Sequence, residues 1–130
     1  KGQGGKVTDV RVPIAGAAQA VLDRRAMLSG EWVFPSYTGR PVSDSGLAKH
    51  MDYIGEKGRP HGFRTAFRTW AQDTGASWEV AETILGHAIG NKVERSYARS
   101  DLLDRRRLVM QAWSDFVTGA ASGDVVRLRQ

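Results

Sequence analysis

The sequence predicts an α+β chain that is mainly α-helical, with an N-terminal β-hairpin remnant, a bundle of helices and a short C-terminal strand. Most of the chain repeats apolar residues at three- and four-residue spacing between capping and glycine signals. One early stretch alternates apolar and polar residues, and Val125-Val126-Arg127-Leu128 near the end is a β-prone run that needs a sheet edge to pair with. With 130 residues and 41% hydrophobic content the chain suits one globular core rather than two. The expected domain occupies residues 1–118, followed by a loose, flexible tail over 119–130 that opens with Gly119 and holds the short strand.

Lys1-Gly2-Gln3-Gly4-Gly5-Lys6 is a turn signal, and Val10, Val12 and Ile14 then alternate with Asp9, Arg11 and Pro13 as in a half-buried strand. Ala18, Val21, Leu22 and Leu28 fit a helix from Ala17 to Leu28, with Gly30 just beyond. Trp32-Val33-Phe34-Pro35 is a short apolar run stopped by proline, and a polar loop with Gly39 and Pro41 follows. Ser43 and Asp44 can cap a helix that buries Leu47, Met51 and Ile54 and closes at Gly55. After Gly58-Arg59-Pro60 breaks the chain, Phe63, Phe67, Trp70 and Thr74 form one core stripe on a helix from about Gly62 to Thr74. Ser77 can cap a helix that buries Val80, Ala81, Ile84 and Leu85 and ends at Gly86. Asn91 with Glu94 resembles a capping box for a helix carrying Val93 and Tyr97. Ser100, Asp101 and Asp104 favour a last helix start, after which Leu102, Leu103, Val109, Met110, Trp113, Phe116 and Val117 make a long apolar stripe. Arg106 falls inside that stripe and must snorkel or find an acidic partner.

Composition narrows the function classes. There is no cysteine, so disulfide staples and thiolate metal sites are excluded, and the three histidines lack metal-ligand spacing. No apolar run approaches the roughly 18 residues of a membrane span, and no signal peptide opens the chain. Lys and Arg number 19 against 14 acidic residues, a net charge of +5 that favours a polyanionic partner without naming one. Because the first residue is Lys1 and a glycine-rich turn follows at once, the chain is expected to begin inside a larger protein.

Three residue types then suggest chemistry. Arg64 and Arg68 lie four residues apart, roughly 120° around the helix from the apolar stripe, and His61 joins their face if the helix continues through it. Such a face suits a phosphate, because the planar guanidinium fork can bind two of its oxygens. The alternative is a solvated face with a surface histidine. His87 follows a helix C-terminus, where the dipole favours an imidazolium able to donate to phosphate; alternatively it caps the last carbonyls. Tyr97 is either a half-buried core tyrosine sharing a face with Val93 or a nucleophile. A phenol with a pKa near 10 needs cations or a base to attack phosphorus, and a proton donor for the departing oxygen.

His61-Gly62-Phe63-Arg64, Leu85-Gly86-His87 and Tyr97, in this order, resemble the catalytic domain of tyrosine recombinases, the phage integrase family, and specifically integrases of the P4-phage or genomic-island type. Val12-Pro13-Ile14, Phe34-Pro35-Ser36, Arg40-Pro41-Val42-Ser43-Asp44 and much of the stretch from His87 through Trp113 are similar to the same subgroup. The resemblance implies that residues 1–118 are the C-terminal part of that domain. It also implies that Tyr97 attacks the scissile phosphate to form a 3′-phosphotyrosyl link, while Arg64 clamps the non-bridging oxygens and His87 adds a second donor. His61 would serve proton transfer or tyrosine positioning, and a hairpin lysine, Lys1 with Lys6 as the alternative, would protonate the leaving 5′-oxygen. The family's first catalytic arginine has no counterpart here, so the fragment is expected to fold and yet be inactive alone.

The implied partners are double-stranded DNA attachment sites, a homotetramer on DNA and host DNA-bending proteins, in the bacterial cytoplasm with nucleoid association, with no metal, cofactor or membrane. Arg40, Lys49, Arg59 and Arg68 are candidate DNA contacts that would position the protein without reading sequence. A type IB topoisomerase-like nicking and closing enzyme and a non-catalytic DNA-binding remnant are the competing functions.

Overall fold

The computed structural model describes residues 11–28, 30–87 and 102–120. Over these residues five helices follow in order: α1 (Gly16–Ala26), α2 (Asp44–Tyr53), α3 (Gly62–Asp73), α4 (Trp78–Ile84) and α5 (Leu103–Thr118). The mainly helical expectation holds. Among the described residues there is no strand, only an isolated antiparallel bridge between Pro35 and Pro41. The Lys1–Lys6 hairpin turn, the helix expected around Tyr97 and the strand expected at Val125–Leu128 lie outside the described residues.

The core forms where α3, α4 and α5 meet. Phe67 and Ala71 from α3, Val80 and Ala81 from α4, and Val109 from α5 make one buried cluster, flanked by Trp70, Ile84, Leu85, Met110 and Trp113. Phe67 meets Trp113 edge-on, with ring centroids 5.5 Å apart at 84°, the offset geometry that the ring quadrupoles favour. Trp70 lies 5.3 Å from Trp113, and Phe116 stacks on Trp113 at 5.6 Å, so the α3–α5 contact is largely aromatic. Thr74 is buried at the end of α3 at little cost, because its hydroxyl donates to the Trp70 carbonyl at 2.8 Å.

Helix starts follow the sequence signals unevenly. Ser43 caps α2 as expected, its hydroxyl accepting from the Gly46 N–H at 3.1 Å, whereas Ser77 starts α4 without a side-chain cap. Helix ends are uniform. After α2, α3, α4 and α5 a glycine with positive φ turns the chain so that the next N–H reaches back five residues, as in Ala76 to Ala71 and His87 to Glu82.

Five apolar expectations need correction. Val12 and Ile14 are exposed while Pro13 and Ala15 are buried, so residues 11–15 do not form the expected half-buried strand. Pro13 cannot donate to a ladder, and the segment is held instead by α5: Arg106 donates to the Arg11 carbonyl and the Gly16 N–H donates to Gln111 Oε1 at 3.1 Å. In α1 no residue is fully buried, so its apolar residues form a shallow contact with α5 rather than a core stripe. Leu47 and Ile54 are exposed and only Met51 of α2 is buried, because α2 packs against no other described helix. Phe63 is 62% exposed, one turn beyond the point where α3 meets α4 and α5, so the stripe on α3 starts at Phe67. In α5, Phe116 and Val117 are likewise exposed in large part.

Arg106 is 2% exposed and sits on the buried face of α5. Rather than reaching solvent, its guanidinium donates to the Arg11 backbone carbonyl.

The Phe63 and Phe67 positions give a direct contrast. Phe67→Ala is expected to lower stability by about 3–5 kcal/mol, whereas Phe63→Ala stays within about 0.5 kcal/mol, as measured by urea unfolding.

Candidate active site

The polar face of α3 lies against the end of α4. Burial of Phe67 and Ala71 orients α3 so that Arg64 and Arg68, one turn apart, both reach the last turn of α4. Arg64 Nη2 donates to the Leu85 carbonyl and lies 3.1 Å from His87 Nε2. Arg68 Nε is 2.7 Å from Glu82 Oε1, and the other carboxylate oxygen, Oε2, is 2.7 Å from His87 Nδ1. A continuous chain of polar contacts therefore runs from Arg68 through Glu82 and His87 to Arg64.

Backbone geometry explains why His87 is there. Gly86 has φ +70°, a left-handed conformation that costs a side chain little only when the side chain is absent. The turn lets Gly86 donate to Thr83 at 3.1 Å and His87 to Glu82 at 3.0 Å, which closes α4 and folds His87 back over Glu82. The same pair is thus tied twice, through backbone and through side chains. The imidazole of His87 does not itself cap a carbonyl in this arrangement; Arg64 serves Leu85, placing a fixed cation where the carbonyls of a helix end leave partial negative charge.

Hydrogen-bond roles follow from the inventory of donors and acceptors. A carboxylate can only accept, so His87 Nδ1 carries a hydrogen toward Glu82. A guanidinium can only donate, so the contact of Arg64 with His87 Nε2 fits a ring that carries its hydrogen on Nδ1. Glu82 is 12% exposed at its side chain, so Arg68 and His87 are held around one shielded acid, with Arg64 against the far side of the His87 ring. The exposed side of the cluster is therefore cationic, which suits an anion with several oxygens.

Glu82 is the residue that the sequence reading missed. A signal was present: an acid in the last turn of a helix is disfavoured by the dipole, so it calls for cations nearby. Its position five residues before His87 with a glycine between also matches the helix-closing turn that stacks those two positions.

His61 is the exposed residue at the start of α3; its carbonyl accepts from the Arg64 N–H at 3.1 Å, so the helical turn does continue through it. Arg59 pairs with Asp52 at 2.8 Å, and Arg40 and Lys49 are exposed, in the loop before α2 and on α2. Lys1, Lys6 and Tyr97 lie outside the described residues. Among the described residues no cluster of His, Asp and Glu could hold a metal, and no helix is long and apolar enough to cross a membrane.

Comparison with known proteins places this arrangement. The Phage integrase family matches residues 4–102, more than half of the chain and a span that includes α2, α3, α4 and the whole Arg64–Glu82–His87 cluster. The chain belongs to the phage integrase family. Prophage integrase IntA of Escherichia coli K12 is 36% identical over 124 residues, covering 91% of this chain and 30% of that protein. The integrase of Enterobacteria phage P4 is 30% identical over 116 residues, covering 82% of this chain and 26% of that protein. The integrase of Shigella phage Sf6 is 31% identical over 80 residues, covering 60% of this chain and 21% of that protein. The chain therefore spans less than a third of the length of these curated relatives. No solved structure matches it.

In this phage integrase family chain the turn at Gly86 is the structural support of His87. Gly86→Ala meets no steric obstacle in the surroundings, yet is expected to cost about 1–2 kcal/mol from backbone conformation alone, read as a shift in the urea midpoint.

Proposed function

We propose that the chain is the C-terminal part of the catalytic domain of a site-specific DNA recombinase, with residues 1–118 in that domain and 119–130 as a tail. The reaction is integration or excision of a mobile element. The observation that carries this reading is the pairing of Arg64 Nη2 with His87 Nε2 at 3.1 Å on the exposed side of a cationic cluster, within a chain of the phage integrase family. Relatives described as prophage and phage integrases support it.

Tyr97 Oη attacks phosphorus, the bond to the 5′-oxygen breaks, and a 3′-phosphotyrosyl link forms. The departing 5′-oxygen takes a proton from Lys1, with Lys6 as the alternative, and a 5′-hydroxyl of the partner strand later reverses the step. Arg64 neutralises the non-bridging oxygens, which carry the charge that develops at the pentavalent phosphorus, and His87 provides the second donor to them. His61 serves proton transfer or tyrosine placement. Arg40, Lys49, Arg59 and Arg68 contribute phosphate contacts that hold the duplex in register, a sequence-independent attraction consistent with the net charge of +5. Four copies act on two attachment sites in the bacterial cytoplasm, assisted by host DNA-bending proteins.

The test is a covalent adduct assay on attachment-site DNA with the full-length protein that carries this chain. Tyr97→Phe is expected to abolish the detergent-resistant protein–DNA adduct while DNA affinity is retained. Arg64→Ala is expected to slow cleavage by about 10²–10³-fold. Recombination that survives Tyr97→Phe would show that the domain binds DNA without supplying the nucleophile.

A further inference from the structure

We propose that Glu82 is a positioning residue: its carboxylate, shared between Arg68 and His87, locks the His87 imidazole in one tautomer and orientation so that Nε2 faces the phosphate beside Arg64. This rests on the recombinase reading above and adds a residue to it.

A carboxylate next to a phosphate site is at first sight the wrong charge. Its placement resolves this. Glu82 is 12% exposed at the side chain, while Arg68 and His87 are 35% and 52% exposed, so the acid lies beneath its two partners rather than beside the incoming anion. Both of its oxygens are engaged, Oε1 by Arg68 Nε and Oε2 by His87 Nδ1, each at 2.7 Å. A group so occupied is poorly placed to take part in proton transfer itself, and is well placed to orient those that do.

The two bonds to the imidazole select the same form. Glu82 demands a hydrogen on Nδ1 and Arg64 demands a lone pair on Nε2. An unconstrained neutral histidine side chain favours the opposite tautomer, with its hydrogen on Nε2, so the selection must come from these partners. When a phosphate draws the Arg64 guanidinium onto its own oxygens, Nε2 is left with a free lone pair. It takes up a proton from solvent and donates it in a hydrogen bond to a non-bridging oxygen, while Nδ1–H stays on Glu82, whose charge stabilises the imidazolium. The same logic operates wherever a buried carboxylate orients a histidine that must change protonation state beside a reacting group.

Arg68 has a matching part. One turn from Arg64 on α3, it would repel that residue, and its bond to Glu82 draws its charge toward α4. It also pins the carboxylate, leaving Oε2 directed at His87. Arg68 thus belongs to the support of the site as well as to its positive field.

The experiment uses the full-length protein with ¹⁵N-labelled histidine and a duplex of its attachment site. In the wild type the neutral His87 ring is expected as the Nδ1–H tautomer. Glu82→Leu, which is close in volume but has no acceptor, is expected to move the ring to the Nε2–H tautomer. The same variant is expected to slow formation of the Tyr97 adduct by about 10²-fold with less than about threefold change in DNA Kd. Glu82→Gln keeps an amide oxygen for the Nδ1–H bond and is expected to recover about tenfold of that loss, which a role limited to packing or stability would not produce. Combining Glu82→Leu with His87→Ala should cost no more than His87→Ala alone. The proposal is overturned by an Nε2–H ring in the wild type, an unchanged ring in Glu82→Leu, wild-type cleavage by that variant, or fully multiplicative losses in the double variant. Absence of any Tyr97 adduct in the wild type would sink the recombinase reading instead, and the ring tautomer, which needs no DNA, would still decide the Glu82–His87 coupling.

Discussion

Ala71 on α3 and Ala81 on α4 have no exposed surface, and they set how closely these two helices pack within the shared core. The contacts of Arg64 and Arg68 with the end of α4 depend on that approach. Arg64 and Arg68 extend from α3 and meet their partners only at the end of α4, so a larger side chain at either alanine would separate the helices and strain those contacts. The small residues carry no chemistry, and their contribution is the distance across which the chemistry is assembled.

Interior and surface polar groups solve different problems here. Arg106 is a cation inside an apolar face, and a backbone carbonyl at Arg11 receives its guanidinium, which ties the segment ahead of α1 to α5. Glu82 is a shielded anion, and an arginine and a histidine share its oxygens. Surface pairs such as Arg59–Asp52 are mostly exposed and contribute little to stability, since solvent screens them and side-chain entropy opposes them. The polar groups that matter are the shielded ones, Arg106 and Glu82, each tied to another part of the chain.

Legibility in the sequence varied with the range of the interaction. Helix positions over α2 to α4 were readable because caps, glycines and periodicity act within a turn or two: Ser43 starts α2, Gly55 and Gly86 close α2 and α4, and Thr74 terminates α3. Burial was less readable. Phe63, Leu47 and Ile54 have the spacing of core residues and are exposed, because periodicity reports a face but not whether another element covers it. Val12 and Ile14 failed for the same reason. Pro13 and Ala15 are buried instead, in a segment tied to α5 across more than ninety positions, from Arg11 to Arg106 and from Gly16 to Gln111.

The candidate site divides along the same line. By itself the sequence determined the residue types, the order His61, Arg64, His87, Tyr97, and the shared face of Arg64 and Arg68, because a helix converts spacing directly into direction. Only the tertiary structure decided that this face meets the end of α4, that Arg64 rather than His87 serves the last carbonyl, and that Glu82 joins Arg68 to His87. These depend on how two helices pack, and packing is set by the whole buried surface of Phe67, Ala71, Val80, Ala81 and Val109 acting together. No local spacing encodes that sum.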